Sequence, residues 1–428
     1  MRNEIMKEEQ FLSILKSEIA PAVGCTEPVA IAYAAAKART LLEDRPDRTS
    51  VIVSRNILKN AMGVGIPGTD EVGLEMAAAM GVIGGNSDKV LEVLEGITPD
   101  EVEEAKAYAR SCVSVSLKDT PQKLYIEVRL EKADDSAVVV IEGGHTNITK
   151  IQHGSHILYE QKGCREIQRS APDKDGLTIE NIYEFISNVD IQKLDFLDEC
   201  VRMNWTIAQE GLFGEYGLGV GKSIYPPEKT ELTAADLAGY TAALAAAAAD
   251  ARMSGSTLPV MTVCGSGNQG ITATLPVIGA ALVLGTDHER MYRALALSCL
   301  VTIHVKQFIG KLSPLCGCGM GSSIGACCAF VYLQGGALEQ IRYAVNNMTA
   351  SVSGIICDGA KSGCALKVAS VISSACQCAA LALKDHSAGS MDGIVSSDVE
   401  STIRNLGVLG SRGMADTDQV ILDMMICK

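Results

Sequence analysis

Residues 258–286 read LPVMTVCGSGNQGITATLPVIGAALVLGT, and residues 312–338 read LSPLCGCGMGSSIGACCAFVYLQGGAL. Both runs are long enough to cross a membrane and carry no charged side chain. Polar, glycine-rich turns interrupt both runs, and neither has a Leu/Phe-rich centre or a flanking aromatic belt. We therefore predict buried helices around a central site and no membrane partner.

The rest of the chain divides into two patterns. Beyond residue 176 nearly every segment has a helical pattern, and residues 4–43 are also predicted to be helical, with a break at the Gly/Pro-containing segment 21–28. Cys25 then lies near a helix start. An α-helical domain formed by residues 1–48 and 170–428 follows from this pattern.

The segment between these two parts has a different character. β-rich or alternating runs occur at 51–54, 123–130, 138–141 and 148–151. Helices are predicted at 70–82 and 99–110, the second with Thr98 as N-cap. The predicted fold class is therefore α+β, a large all-helical domain with a smaller α/β sandwich-like domain, residues 49–169, inserted.

Charge and cysteine content exclude several classes of function. The net charge of −14 disfavours nucleic acid and anionic membranes, because both require a positive face. The first 16 residues are charged and contain no apolar signal core, so we expect a cytoplasmic protein whose 15 cysteines are reduced. The expected partner is a small molecule. The sequence does not decide whether the protein forms a homo-oligomer.

Three motifs combine cysteine with glycine, which lets backbone approach a cofactor closely. They are Gly24-Cys25-Thr26-Glu27-Pro28, Leu315-Cys316-Gly317-Cys318-Gly319 and Ile356-Cys357-Asp358-Gly359-Ala360-Lys361-Ser362-Gly363-Cys364. Thiolates are the usual ligands of iron-sulfur clusters, but the spacing alone is weak because no C-x-x-C pair occurs. A purely structural role, as small buried apolar residues, is an equally good interpretation of the motif cysteines. It is the favoured interpretation of four other cysteines, Cys327, Cys328, Cys376 and Cys378.

Together, the three motifs resemble the L-cysteine desulfidase family, which is related to the α chain of iron-sulfur L-serine dehydratases. The resemblance extends from Cys25 to the end of the chain and implies a [4Fe-4S] cluster. Cys357-Asp358-Gly359 resembles the start of a ligand motif of the dehydratases. Those enzymes carry a further cysteine where this chain has Val368, and the resemblance implies Cys25 as its replacement.

The ligands implied by this resemblance are Cys25, Cys357 and one of Cys316 and Cys318, with Cys364 in reserve. The sequence does not decide between the two cysteines of the C-x-C motif. The remaining iron would lack a protein thiolate and act as a Lewis acid in a β-elimination that converts L-cysteine to pyruvate, ammonia and hydrogen sulfide. The penultimate residue, Cys427, is a hypothetical protective ligand of that iron.

Two glycine-rich turns are candidates for substrate binding. A turn before a helix offers backbone N–H groups and a positive dipole end to the substrate carboxylate. The segment 265–270 has this form and resembles the Thr-Asn-Gly-rich segment of serine dehydratases, which implies Ser266, Asn268 and Gln269 as substrate contacts. Asn60 opens a similar loop at 60–69. Ordinary capping and strand-to-helix turns are the alternatives.

Elimination also requires a base for the α-proton, with a pKa near neutral or shifted towards it. His145 is the first candidate, because it follows a predicted strand at a glycine turn. Lys361, four residues after Cys357, and Lys306, ahead of the C-x-C motif, could serve as base or carboxylate anchor if they are desolvated. A loop histidine and exposed lysines are the alternatives.

Two other functions remain open at this point. L-Serine is an alternative substrate, and a helical scaffold or ligand-binding protein with merely buried cysteines is an alternative without catalysis. A pyridoxal-phosphate enzyme is disfavoured, because no segment combines a lysine, a phosphate cup and the alternating βα pattern that this cofactor brings.

Overall fold

The computed structural model describes residues 6–161, 174, 176–225, 232–310 and 312–427. Within these ranges the helices are α1 Glu8–Glu18, α2 Thr26–Arg39, α3 Arg55–Ala61, α4 Leu74–Ile83, α5 Pro99–Cys112, α6 Ile179–Asn188, α7 Leu197–Phe213, α8 Val220–Ile224, α9 Leu237–Met253, α10 Gly267–Leu284, α11 His288–Ile309, α12 Ser323–Leu333, α13 Leu338–Val352, α14 Cys364–Ala382, α15 Val399–Val408 and α16 Thr417–Ile426. The strands are β1 Ile19–Val23, β2 Arg48–Val53, β3 Val113–Leu117, β4 Tyr125–Lys132, β5 Asp135–Glu142, β6 Ile148–His153, β7 His156–Glu160 and β8 Pro259–Val263.

Six strands form one mixed sheet in the order β3-β2-β4-β5-β6-β7. The β2–β3 pair is parallel and the other pairs are antiparallel. The four predicted strand segments overlap β2, β4, β5 and β6, and the α+β class is confirmed. The sequence analysis missed β3, which follows α5 without a turn, and β7, whose residues are all exposed.

Helices α2, α4 and α5 cover one face of this sheet. Val128 and Val139 of the sheet share a buried cluster with Ala34 of α2, Ala77 of α4 and Tyr108 of α5. Helix α2 therefore packs on the sheet, although its sequence had been grouped with the helical part. The domain boundaries near residues 49 and 169 stay a prediction.

Helix α5 begins as its sequence predicts. The Thr98 hydroxyl accepts a hydrogen bond from the backbone N–H of Glu101, and the Glu101 carboxylate accepts one from the backbone N–H of Thr98. Pro99 occupies the first helical position, where its missing N–H costs nothing. The predicted helix at 70–82 corresponds to α4, which begins four residues later, at Leu74.

The second core is built from helices around α9. All eight residues at 242–249, seven of them alanine, are buried. Small side chains let the neighbouring helix α7 approach closely, since a Cβ on Gly211 would lie 1.9 Å from the carbonyl oxygen of Ala247. A core with few aromatic rings is therefore filled by helices packed at short distance.

One prediction about this part was wrong. The segment beyond residue 176 is not entirely helical, because β8 pairs with β1 in an antiparallel two-stranded sheet. Pro21 within β1 excludes a helix there, and its partner strand contains the β-branched residues Val260, Thr262 and Val263. This small sheet joins the segment before Cys25 to the segment before the 265–270 turn.

The two uncharged runs form the interior of the helical part. The first contains α10, of which 83% is buried, and the second contains α12, whose residues from Ser323 to Val331 are all buried. Helices α10 and α14 are both long and apolar enough to cross a membrane, but the burial of α10 is that of a core helix. The prediction of buried helices is confirmed for α10 and α12.

Candidate active site

The C-x-C motif and the Cys357 motif lie side by side. An antiparallel bridge joins Leu315 to Ile356. The backbone N–H groups of Cys316 and Cys357 each donate a hydrogen bond to a carbonyl of the opposite segment, at 2.9 and 2.6 Å. Because side chains alternate along extended backbone, Cys316 and Cys357 are directed to the same side of this bridge.

Cys318 and Cys364 complete a group of four cysteines. Cys318 opens a π-helical turn before α12, and Cys364 is the first residue of α14. A hydrogen bond from Cys318 lowers the pKa of Cys316, and the same bond raises the pKa of Cys318. Burial raises the pKa of Cys357, and it raises that of Cys364 to about 12. The four thiols interact electrostatically with one another.

Buried and half-buried lysines surround these thiols. Burial lowers the pKa of Lys306, and interactions with Cys264 and with the motif cysteines oppose that shift. Lys367 donates a hydrogen bond to the carbonyl of Ile356 at 2.9 Å and forms an ion pair with Asp358. Positive charge close to thiols favours their thiolate form, which is the form that binds metals.

Cys25 reaches the same region from the other motif. It is the N-cap residue of α2, as expected, and it packs with Val64, Met253 and the half-buried Ala360 and Cys364. Its thiol donates a hydrogen bond to the neighbouring carboxylate, Oε2 of residue 27, at 3.1 Å. Burial raises the pKa of Cys25, and that carboxylate raises it further.

Glu27 is a buried carboxylate to which the sequence analysis gave no role. Its Oε1 accepts a hydrogen bond from Nδ2 of Asn60 at 3.0 Å and lies 3.9 Å from Nε2 of His145. Burial raises the pKa of Glu27, but His145 and the hydrogen bonds from Cys25 and Asn60 outweigh it and leave the pKa below its ordinary value. The carboxylate is therefore ionised and joins three predicted site residues, Cys25, Asn60 and His145.

The turn before α10 meets the cysteines through buried polar side chains. Ser266 is the N-cap residue, and Asn268 and Gln269 lie in the first turn. A Cβ on Gly317 of the C-x-C motif would be 2.9 Å from Cδ of Gln269. The Oε1 atom of Gln269 is buried and has no hydrogen-bond partner among the described residues. An amide oxygen in this state is open to a hydrogen bond from a ligand or a water molecule.

Arg252 connects this turn to the Cys25 motif. Its guanidinium donates to Oδ1 of Asn268 at 3.0 Å and to the carbonyl of Gly24 at 2.6 Å. The side chain is almost fully buried, with 3% of its surface exposed. Sequence reasoning missed Arg252, because nothing in its local sequence distinguishes it from the exposed arginines elsewhere in the chain.

The other predicted residues are placed as follows. Lys306 donates a hydrogen bond to the carbonyl of Gly310 at 2.6 Å. Lys361 forms an ion pair with Asp358 at 2.6 Å, so a carboxylate already engages its ammonium group. Cys427 is exposed at the end of α16.

The loop that carries Cys357 rests on α3. The buried Lys59 donates a hydrogen bond to the carbonyl of Cys357 at 2.9 Å and pairs with Asp418 of α16 at 2.5 Å. Gly359 has a φ of +94°, and a Cβ there would lie 2.2 Å from the carbonyl oxygen of Lys59. Only glycine fits this contact without moving the loop.

We therefore expect Gly359→Ala to lower the free energy of unfolding by about 1–3 kcal/mol, because the added methyl group overpacks the contact with α3. Gly363→Ala is the matched control in the same loop, since its φ is −62° and a Cβ would meet no atom closer than 4.0 Å. Urea denaturation followed by circular dichroism measures both. Equal stabilities of the two variants would contradict the packing described here.

The donor atoms at this site fit an iron-sulfur cluster in chemical type. Among the described residues, no three His, Cys, Asp or Glu side chains converge on a point that would hold one metal ion. Ligands of a [4Fe-4S] cluster bind separate irons at its corners, so they need not converge in that way. All 14 cysteines of the described ranges are free, and the motif thiols lie together beside lysines.

The buried thiols, amides and carboxylate of this site come from both the helical part and the sheet-containing part of the chain. Residues 88–423 match the profile of the family described as serine dehydratase alpha chain. The chain belongs to this family, and membership implies a lyase-type role.

Relatives extend the similarity over the whole chain. A UPF0597 protein of Aeromonas hydrophila is 44% identical over 432 residues, covering 100% of this chain and 99% of the relative. A UPF0597 protein of Clostridium perfringens is 43% identical over 422 residues, covering 98% of each. One of Phocaeicola vulgatus is 41% identical over 425 residues, covering 99% and 98%. The family match over residues 88–423 confirms the resemblance to serine dehydratase α chains.

Proposed function

We propose that this protein is a cytoplasmic L-cysteine desulfidase, which eliminates the β-thiol of L-cysteine and releases pyruvate, ammonia and hydrogen sulfide. The observation that carries the proposal is the position of Cys25, which packs against Ala360 and Cys364 of the Cys357 loop. Val368, in contrast, is 1% exposed and belongs to the helical core. A ligand set that uses Cys25 in place of position 368 is the one that the desulfidase resemblance implies.

In this proposal Cys25, Cys357 and one of Cys316 and Cys318 hold a [4Fe-4S] cluster. When bound, the cluster supplies a Lewis-acidic iron that draws electron density from the departing β-substituent. Lys306 and Lys367 stabilise the thiolate ligands by their positive charge.

The turn before α10 holds the substrate. Backbone N–H groups at the start of this 18-residue helix and its positive dipole end receive the α-carboxylate. The buried Oε1 of Gln269 accepts a hydrogen bond from the substrate ammonium group, which removes the unsatisfied acceptor. Arg252 keeps the Asn268 amide oriented by binding its oxygen. Nδ2 of Asn268 donates one hydrogen bond to Sδ of Met253 at 3.3 Å and keeps its second N–H for the substrate.

His145 takes the α-proton. The ionised Glu27, 3.9 Å from Nε2 of His145, orients the imidazole ring and stabilises its protonated form, as a carboxylate does for a catalytic histidine in other enzymes. Loss of the α-proton and of the β-substituent leaves aminoacrylate. Addition of one water molecule to its imine tautomer then gives pyruvate and ammonia.

L-Serine is the second candidate substrate, because the family that matches is described by serine dehydratase. A pocket that accepts cysteine cannot exclude serine strongly by size, so preference follows the leaving group. We expect kcat/KM for L-cysteine to exceed that for L-serine at least tenfold, with sulfide and pyruvate released in equal amounts. The test is a steady-state assay of protein reconstituted with iron and sulfide without oxygen.

If kcat/KM is higher for L-serine than for L-cysteine, the activity is that of a serine dehydratase and not of a desulfidase. Absence of product from both substrates, in a protein that binds no iron during reconstitution, would favour the helical ligand-binding protein instead. The two results are distinguishable, because only the second leaves pyruvate undetected.

A further inference from the structure

A buried ion pair ties the last helix, α16, to one of the cysteine motifs. Nζ of Lys59 on α3 lies 2.5 Å from Oδ1 of Asp418 in the first turn of α16. The same ammonium group donates a hydrogen bond to the carbonyl of Cys357 at 2.9 Å. The Lys59 side chain is 2% exposed and that of Asp418 is 17% exposed, so dissolved salt screens the pair only weakly. One cation therefore connects α16 to a proposed cluster ligand.

The carboxylate of Asp418 is held at both of its oxygens. Oδ2 accepts a hydrogen bond at 2.9 Å from Nδ2 of Asn56, which lies one turn before Lys59 on α3. An acidic residue in the first turn of a helix is also stabilised by the positive end of the helix dipole. The position of this carboxylate is thus fixed by α3 on one side and by its own helix on the other.

The apolar contact that attaches α16 to the protein is small. Two of its ten residues, Ile421 and Leu422, are buried. Val420, Met424 and Ile426 of the same helix are 48%, 64% and 51% exposed. Since little apolar surface is removed from water, the polar contacts of Asp418 carry a large share of the attachment of α16.

The segment that leads into α16 touches the other cysteine motif. A Cβ on Gly410 would lie 2.8 Å from Cδ1 of Leu315 and 3.4 Å from Oγ of Ser313. The Ser313 hydroxyl accepts a hydrogen bond at 3.1 Å from the backbone N–H of Leu315, the residue before Cys316. Residues 409–427 therefore contact both motifs, the C-x-C motif by packing and the other through the ion pair.

The ammonium group of Lys59 also acts on the sulfur of Cys357. Burial raises the pKa of Cys357, and the charge of Lys59 opposes that shift. A positive charge beside a thiol favours the thiolate, which is the form that binds iron. Removal of one partner from a buried ion pair leaves an uncompensated charge, so without Asp418 the ammonium group would no longer be held at the Cys357 carbonyl.

We propose that Asp418 is a positioning residue for the cluster ligand Cys357 and that it acts through Lys59. The carboxylate keeps the ammonium group at the carbonyl of Cys357, and the ammonium group keeps the loop and its thiolate directed at the cluster. The attachment of α16 thereby controls how firmly the protein retains the cluster. This inference rests on the cluster of the proposed function and is independent of which amino acid is cleaved.

The rate at which a chelator removes iron tests the proposal. Full-length wild-type protein and its variants are reconstituted without oxygen and then exposed to the chelator. Asp418→Asn and Lys59→Met are each expected to release iron about tenfold faster than the wild type, because groups that hold a metal ligand from outside contribute about 10–100-fold to metal affinity. Since the two residues act as one unit, the double variant is expected to release iron no faster than Lys59→Met alone.

Asp423→Asn is the matched control on the same helix. Asp423 is exposed, and its carboxylate accepts a hydrogen bond from Gln419 of α16 at 2.6 Å. The control is expected to release iron at the wild-type rate. Circular dichroism shows whether each variant is folded. If Lys59→Met does not fold, Asp418→Asn decides alone, because this substitution keeps the size and shape of the side chain.

The reduction potential of the cluster separates this role from a general loosening of the structure. Net charge close to a cluster is one determinant of its potential. Lys59→Met removes a positive charge and is expected to lower the potential. Asp418→Asn removes the compensating negative charge and is expected to raise it. Loosening of the fold alone would not shift the two variants in opposite directions.

Three results would overturn the proposal while the proposed function stands, provided that the wild-type protein binds iron. They are iron release from Asp418→Asn at the wild-type rate, release from Asp423→Asn as fast as from Asp418→Asn, and potentials of the two single variants shifted in the same direction. A wild-type protein that binds no iron would overturn the proposed function and this inference together.

Discussion

His145→Ala is expected to lower kcat for the release of sulfide from L-cysteine by about 10²–10⁴-fold, the usual contribution of a positioned general base. The loss falls on kcat because His145 lies beside the ionised Glu27 and acts on the bound substrate. Iron content is expected to stay unchanged, since His145 belongs to no cysteine motif. Anaerobic steady-state kinetics together with iron analysis measures both quantities.

His156→Ala is the matched control for this variant. His156 lies on β7 of the same sheet and is exposed, so its removal is expected to leave kcat within about twofold, because substitutions of exposed residues are usually close to neutral. A His145→Ala protein with kcat as high as that of the control would remove His145 from the role of base. Lys306, the remaining buried base candidate, would then be substituted next.

Cys357→Ala is expected to abolish both the cluster and the release of sulfide. Cys357 is directed to the same side of the Leu315–Ile356 bridge as Cys316, and its backbone is held by that bridge and by Lys59. The substitution therefore removes the sulfur while it leaves the loop in place. Loss of the visible absorbance band and of bound iron, with an unchanged circular dichroism spectrum, is the expected result.

Cys112→Ala provides the comparison for Cys357→Ala. Cys112 is half-buried like Cys357, but it lies at the end of α5 beside the sheet. The Cys112→Ala protein is expected to keep its iron content, its visible absorbance and its activity. If Cys357→Ala also retained the full iron content, the assignment of this motif as a cluster ligand would be wrong, whatever happened to its activity.

Much of the sheet could be predicted from the sequence, because β4, β5 and β6 carry alternating or β-branched patterns that local reasoning detects. β7 could not, since exposed side chains on both faces leave no alternation of burial. The pairing of β1 with β8 joins segments about 240 positions apart, Ile19 with Val263, and no local pattern predicts so distant a contact.

The candidate site could likewise be predicted only in part. The cysteines and the 265–270 turn stand out as motifs, and the structure brings them together. The residues that link the motifs do not stand out, because Lys59 and Arg252 are ordinary cations in sequence and become exceptional only when burial is known. Glu27 lies inside the first cysteine motif, two residues after Cys25. Its contact with His145 could not be predicted, because it depends on how α2 packs against the sheet.

We propose that the motif cysteines hold an iron-sulfur cluster at which L-cysteine is cleaved. The most direct measurement is the visible absorbance and iron content of the protein after anaerobic reconstitution, with sulfide and pyruvate assayed from L-cysteine before and after exposure to air. We expect a brown, oxygen-labile protein that releases both products in equal amounts. A colourless protein that binds no iron after anaerobic reconstitution would contradict it.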